Sequence, residues 1–198
     1  NTYLLYDETH EAIIVDAACS ELREEEKLEK FIETNSLKLV RNIYTHCHID
    51  HILGNTFIED RFGILPEFHP ASEAFLLRAK EIGAGYGFTV ERIPKAGRLL
   101  EDNEMIRWGN SSLKVLYTPG HADGSCCLYN KEQGFVLSGD VLFRGSIGRT
   151  DFPTGDFDLL MDSIREKLFT LPDNTVVYSG HGPETEIGYE KMNNPFIR

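Results

Sequence analysis

At 198 residues, 41% hydrophobic and 26% charged, the chain has the makeup of one globular domain with room for a sizeable core. Its 32 Asp and Glu against 20 Lys and Arg leave a formal net charge of −12, which excludes the basic face that a nucleic-acid binder needs. No apolar run approaches transmembrane length, no secretory segment is visible, and Cys19, Cys47, Cys126 and Cys127 lack a disulfide-framework spacing, so no membrane partner and a reducing cytoplasm are expected.

Tyr3 to Tyr6 and Ala12 to Val15 read as two short strands joined by the polar stretch 7–11, hence a hairpin with His10 facing solvent. Residues 21–34 read as a helix with Leu22, Leu28, Phe31 and Ile32 on its apolar side and Glu24, Glu25 and Glu26 on its solvated face. Leu39 to Tyr44 is a strand running into the polar loop 46–51, and a short helix is expected over 52–57 with Asp50 at its start. Residues 64–68 read as an edge strand because of Pro66. His69-Pro70 then leads into a second helix with Ala71, Ala74, Phe75, Ala79 and Ile82 on one side, and His69, without a partner motif, reads as a structural histidine.

Residues 83–87 are too glycine-rich to continue that helix and read as a flexible connection, in which Tyr86 and Phe88 pack or line a substrate groove. Strands are expected at 105–108, 113–117, 126–129 and 135–137, with a turn at 130–134 and Cys126 and Cys127 as packing residues. Residues 156–169 form the clearest amphipathic helix, through Phe157, Leu160, Met161, Ile164 and Leu168. A last strand at 175–178 and a closing helix at 184–192 complete the chain. Strands then helix, twice over, suit two sheets packed face to face and covered by helices.

The chemistry concentrates in His46-Cys47-His48-Ile49-Asp50-His51. On extended backbone, side chains two apart point the same way, so His46 and His48 can reach one ion while Cys47 points away into packing. Asp50 and His51 aim at a second point close by. Three further segments place a metal-ligating residue at the end of an apolar strand beside glycine: Thr118-Pro119-Gly120-His121, Ser138-Gly139-Asp140 and Ser179-Gly180-His181-Gly182. The seven candidates exceed the four positions of one tetrahedral ion, whereas two ions sharing one carboxylate would have four each.

In this order the motifs resemble the metallo-β-lactamase superfamily, most closely its glyoxalase II-like (hydroxyacylglutathione hydrolase-like) branch. Asn1-Thr2-Tyr3 and the stretches 138–156 and 180–185 extend the resemblance over nearly the whole chain. It implies an α+β fold, a four-layer αββα sandwich with the ligands at one rim, as a single domain over 1–198. It also implies that His46, His48 and His121 hold the first of two divalent ions, that Asp50, His51 and His181 hold the second, and that Asp140 bridges. Zinc is the first expectation, and iron or manganese suit the same residues. A hydroxide held between the ions would attack a thioester, with Asp50 orienting it and taking its proton.

The expected partner is a small acyl-thioester. The chain ends at 194–198, about where the helical glutathione-binding domain of full-length glyoxalase II would begin, so glutathione as the thiol half is not implied. Asp140 stands where the best-known zinc β-lactamases carry Cys, and His51 completes a second site that they build differently; both argue against antibiotic hydrolysis. In the loop after Asp140, Arg144 and Arg149 could receive an anionic substrate, with an Arg149–Asp151 brace as the equal alternative. The competing readings are a mononuclear iron persulfide dioxygenase, whose family shares the Gly148-Arg149-Thr150-Asp151-Phe152 loop, a lactonase, and a non-catalytic metal-binding module.

Overall fold

Tyr3–Tyr6 (β1) and Glu11–Val15 (β2) form the expected hairpin, Tyr3 opposite Val15 and Tyr6 opposite Ala12, with His10 exposed in the turn. The structure is a computed structural model and describes residues 1–93 and 95–197. Its chain divides into two units, Thr2–Leu100 with Arg107–Ser112, and residue 1 with Glu101–Ile106 and the chain from Leu113 onward.

In the first unit β2 continues through Leu22–Thr34 (α1) to Lys38–Ile43 (β3), which pairs parallel to β2. A parallel partner needs a crossover, and α1 supplies it. The helix starts with a capping box between Glu21 and Glu24. Its buried line is Leu28 and Ile32, packed with Ala12, Ile14, Leu39 and Ile58. Leu22 and Phe31, expected on that side, are exposed at 70% and 45%, because a line of residues four apart already covers the sheet.

After β3 come Ile49–Ile52 (α2) and Asn55–Phe62 (α3), two short helices in place of the one expected over 52–57, so Asp50 lies inside the first turn of α2. Pro66–Phe68 (β4) pairs with β3 on one side and, through Glu73–Leu77 (α4) and Ala79–Gly85 (α5), with Arg98–Leu99 (β5) on the other. The sheet order is β1-β2-β3-β4-β5, so the Pro66 segment is interior rather than an edge. Pro66 is tolerated as the first residue of its strand, where its carbonyl still accepts from Gly97 N at 2.8 Å.

The second helix breaks at Arg78 and buries Leu76 and Ala79, while Ala74 is exposed. It also runs on through Gly83 to Gly85, against expectation. Gly83 is useful there, since a Cβ would stand 3.0 Å from Val90 Cγ2 and 3.3 Å from Phe88 O. Tyr86 and Phe88 are exposed instead of packed, and Phe88 lines a cavity of about 580 Å³ with Ile52, Leu53 and Cys19. His69 takes the structural role expected of it, accepting from Ala71 N at 3.3 Å.

The chain then forms Met105–Trp108 (β6), Ser111–Tyr117 (β7), Cys126–Asn130 (β8) and Phe135–Gly139 (β9), each within two residues of its expected bounds. Leu142–Phe143 (β10) and Ser146–Ile147 (β11) make a minimal hairpin turning at Gly145, φ +67°. Phe157–Ser163 (α6) is N-capped by Asp156, which accepts from Leu159 N at 2.9 Å, and it widens into a π-helical turn over Ile164–Leu168. Leu160, Met161, Ile164 and Leu168 are buried as expected, but Phe157 is 48% exposed, one turn before the buried face begins.

Val176–Ser179 (β12) runs parallel to β9, and Thr185–Glu186 (β13) pairs antiparallel to β12 before Ile187–Asn193 (α7). The strand β13 takes the residues expected to open the closing helix. The sheet order is β13-β12-β9-β8-β7-β6. Cys47, Cys126 and Cys127 are buried, none of the four cysteines is bridged, and burial pushes the Cys127 thiol up to about 12. Among the described residues no helix is long and apolar enough to cross a membrane.

Candidate metal centre

Because β2, β3 and β4 are parallel, the segments leaving them emerge at the same edge of the first unit's sheet. From β2 comes Asp16 and from β3 the run Thr45 to His51. His46 and His51 are buried to 1% and 2% exposure, with ring centres 4.1 Å apart. His46 Nε2 lies 3.2 Å from His48 Nδ1, so these two imidazoles converge as their spacing predicts. The His48 ring packs edge-on against Phe75 at 5.0 Å. Asp50, with a half-exposed carboxylate, stands 3.7 Å from His51 Nε2. Cys47 turns instead into the packing with Tyr44, Phe68 and Leu76, where burial pushes its thiol well up.

Asp16 organises this cluster and was not singled out from the sequence. Its carboxylate, 1% exposed, accepts from Thr45 N and Thr45 Oγ1, both at 2.7 Å, and from His51 Nδ1 at 2.9 Å. With Nδ1 donating to Asp16, the lone pair of His51 is on Nε2, the tautomer a metal ligand needs. Asp16 sits at φ +54°, a left-handed backbone that Asp tolerates better than most residues.

The other three candidates belong to the second unit. His121 Nδ1 donates to the Arg149 carbonyl at 2.8 Å, which again puts the ring lone pair on Nε2, 3.7 Å from Asp140 Oδ2. His181 Nε2 is 3.3 Å from the same Asp140 oxygen. One carboxylate oxygen is thus shared between two imidazole nitrogens. Two glycines permit this packing. At Gly120, φ +126°, a Cβ would collide with the Leu160 backbone, and at Gly148 it would collide with the Asp140 carbonyl and stand 3.1 Å from His121 Cβ. The His181 loop is held to the Asp140 loop by Gly180 N donating to Gly139 O at 2.7 Å. Asn1 Nδ2 spans it, donating to Ser179 O at 3.0 Å and Gly182 O at 2.9 Å.

The two arginines differ. Arg149 grips Asp151 through two bonds of 2.6 Å and lies 4.0 Å over the Phe152 ring, and that grip holds the Asp151 carboxyl down at about 2. Arg144 is exposed at the β10–β11 turn, 5.9 Å from the Tyr189 ring, and among the described residues no carboxylate pairs with it.

Comparison with known proteins gives this ligand set a family. The model of the metallo-beta-lactamase superfamily matches residues 1–181. The chain belongs to the metallo-beta-lactamase superfamily. That membership makes it, by class, a metal-dependent hydrolase, and the expected α+β αββα fold is the one its structural neighbours share. It is 33% identical to the hydroxyacylglutathione hydrolase GloC of Haemophilus influenzae, over 100% of this chain and 92% of that one. Among solved structures it is similar to the BLEG-1 B3 metallo-beta-lactamase (TM-score 0.87, 36% identity, 100% of this chain and 93% of that one). It is equally similar to TTHA1623 in a di-iron-bound form (TM-score 0.87, 32% identity, 99% and 94%).

Proposed function

We propose that this superfamily member is a dinuclear thioesterase and a single domain over 1–198. The observation that carries the reading is the prepared state of the imidazoles. His51 and His121 each spend Nδ1 on a fixed acceptor and keep Nε2 for an ion, and Asp140 offers one oxygen to both His121 and His181. The residues therefore fit divalent metal. His46, His48 and His121 would hold one ion, Asp50, His51 and His181 the other, with Asp140 between. Bound ions would supply Lewis acidity and lower the pKa of a bound water to about 7.

The chain's own groups do the rest. Asp50 is the half-exposed carboxylate of the set and takes the proton released on attack. Arg144 receives an anionic group of the substrate, while Arg149, already committed to Asp151, braces the loop whose carbonyl orients His121. Similarity to a hydroxyacylglutathione hydrolase supports a thioester substrate, Asp140 in place of Cys argues against a β-lactam, and the intact donor set argues against a degenerate binding module. A second reading, oxidation of a persulfide at one iron, is supported by the Gly148 to Phe152 loop and by likeness to ETHE1 of Myxococcus xanthus (TM-score 0.78, 30% identity).

The test is elemental analysis of the purified protein followed by turnover on thioesters, lactones, β-lactams and a persulfide. Two ions per chain (zinc, iron or manganese) with thioester hydrolysis are expected; one iron with persulfide oxidation overturns the reading. Within it, Arg144→Ala should raise KM for an anionic thioester about 10-fold or more, the worth of one charge-assisted hydrogen bond, with kcat nearly unchanged. An equal KM effect on a neutral thioester would remove Arg144 from anion recognition.

A further inference from the structure

Glu190 on α7 has 0% exposure, and among the described residues no Lys or Arg pairs with it. A carboxylate in that position is costly unless hydrogen bonds satisfy it. Its oxygens accept from Gly145 N at 3.0 and 3.2 Å, from Thr185 Oγ1 at 2.5 Å and from Asn194 Nδ2 at 2.7 Å. Asn194 Nδ2 also donates to Ser146 O at 3.0 Å.

The origin of these partners is what matters. Gly145 lies in the turn of the β10–β11 hairpin that follows Asp140, Ser146 opens β11, and Thr185 closes the loop that follows His181. One buried group is therefore the common anchor of the two segments leading away from two candidate ligands. Phe143, in the same hairpin, sets its ring edge-on to the His181 imidazole, 6.3 Å between centres. His181 is the more exposed imidazole of this unit, so it has little packing of its own to hold it.

We propose that Glu190 is a positioning residue that fixes the distance between Asp140 and His181, and with it the affinity for the ion they share. The inference rests on the dinuclear reading given above. Glu190→Gln keeps the volume but replaces one acceptor oxygen with an NH2 group, which then faces the Gly145 N–H or the Asn194 amide. The hairpin and the His181 loop lose their common hold.

The experiment is competition for Zn2+ between a chromophoric chelator and the full chain, together with the visible spectrum of the Co2+-loaded protein. Glu190→Gln should bind one of two ions about 10- to 100-fold more weakly, leave the other unchanged, and alter the Co2+ spectrum, as loss of an orienting partner does in metal sites. Thr185→Val, which deletes a single hydroxyl donor, should show a smaller loss at the same ion, and serves if Glu190→Gln does not fold. If the wild type binds two ions and the folded variants bind both with wild-type affinity and spectrum, the positioning role is overturned, whatever the change in melting temperature. If the wild type binds fewer than two, the dinuclear reading fails and this inference falls with it.

Discussion

Asp140→Ala is expected to release at least one ion and to lower thioester kcat/KM by about 10³-fold or more, roughly 4 kcal/mol of transition-state stabilisation. The Asp140 carboxylate stands 3.3 Å from His181 Nε2 and 3.7 Å from His121 Nε2, so it is the only carboxylate of the second unit's set and the group both imidazoles face. Its removal deletes a formal negative charge beside the Nε2 atoms of both imidazoles. Metal content and turnover, measured on one preparation, check this. Wild-type turnover with full metal content would remove Asp140 from the bridging position.

Asp16→Ala should be the most damaging change outside the ligands themselves. It strips buried partners from Thr45 N, Thr45 Oγ1 and His51 Nδ1 at once. Each of the three orphaned buried groups costs about 1–3 kcal/mol, and alanine at φ +54° adds about 1 kcal/mol of backbone strain, so a loss of at least about 4 kcal/mol is expected. For a chain of this size that lowers Tm by roughly 8–16 °C. Zn2+ affinity should fall about 10- to 100-fold as His51 loses its orienting acceptor. Asp16→Asn keeps the size and tolerates the backbone, so it separates the charge from the strain. Wild-type Tm and Zn2+ affinity in Asp16→Ala would refute the bracing role.

The ligand candidates were legible because each is a polar residue set abruptly at the end of an apolar strand, and four of them fall within six residues. Asp16 was not. A single carboxylate after Ala12 to Val15 carries no pattern of its own, and its meaning arises only when β2 lies parallel beside β3 and brings it to Thr45, 29 residues away. Glu190 was hidden for the same reason, as one acidic residue on a helix that also carries exposed Lys191.

Among the elements, the longer strands and α1 followed their hydrophobic period, whereas β5, β10, β11 and β13 have two residues each, too few for any period. The helix through Gly83 and Gly85 shows packing overriding propensity, because the missing side chain of Gly83 is what lets Phe88 and Val90 come close.

The parallel course of β2, β3 and β4 also has a kinetic meaning. Unlike a hairpin, such pairing forms only after the chain has travelled out through a helix and back, so the entropy of closing a long loop is met before any ladder bond repays it. The run from His46 to His51 is contiguous, yet the contact that aims it is not: Asp16 must wait for α1 to dock before it can accept from His51. On a nascent chain His46, His48, Asp50 and His51 are three ordinary histidines and a carboxylate. His51 gains its fixed acceptor, and with it a set tautomer, only after β2 and β3 have paired.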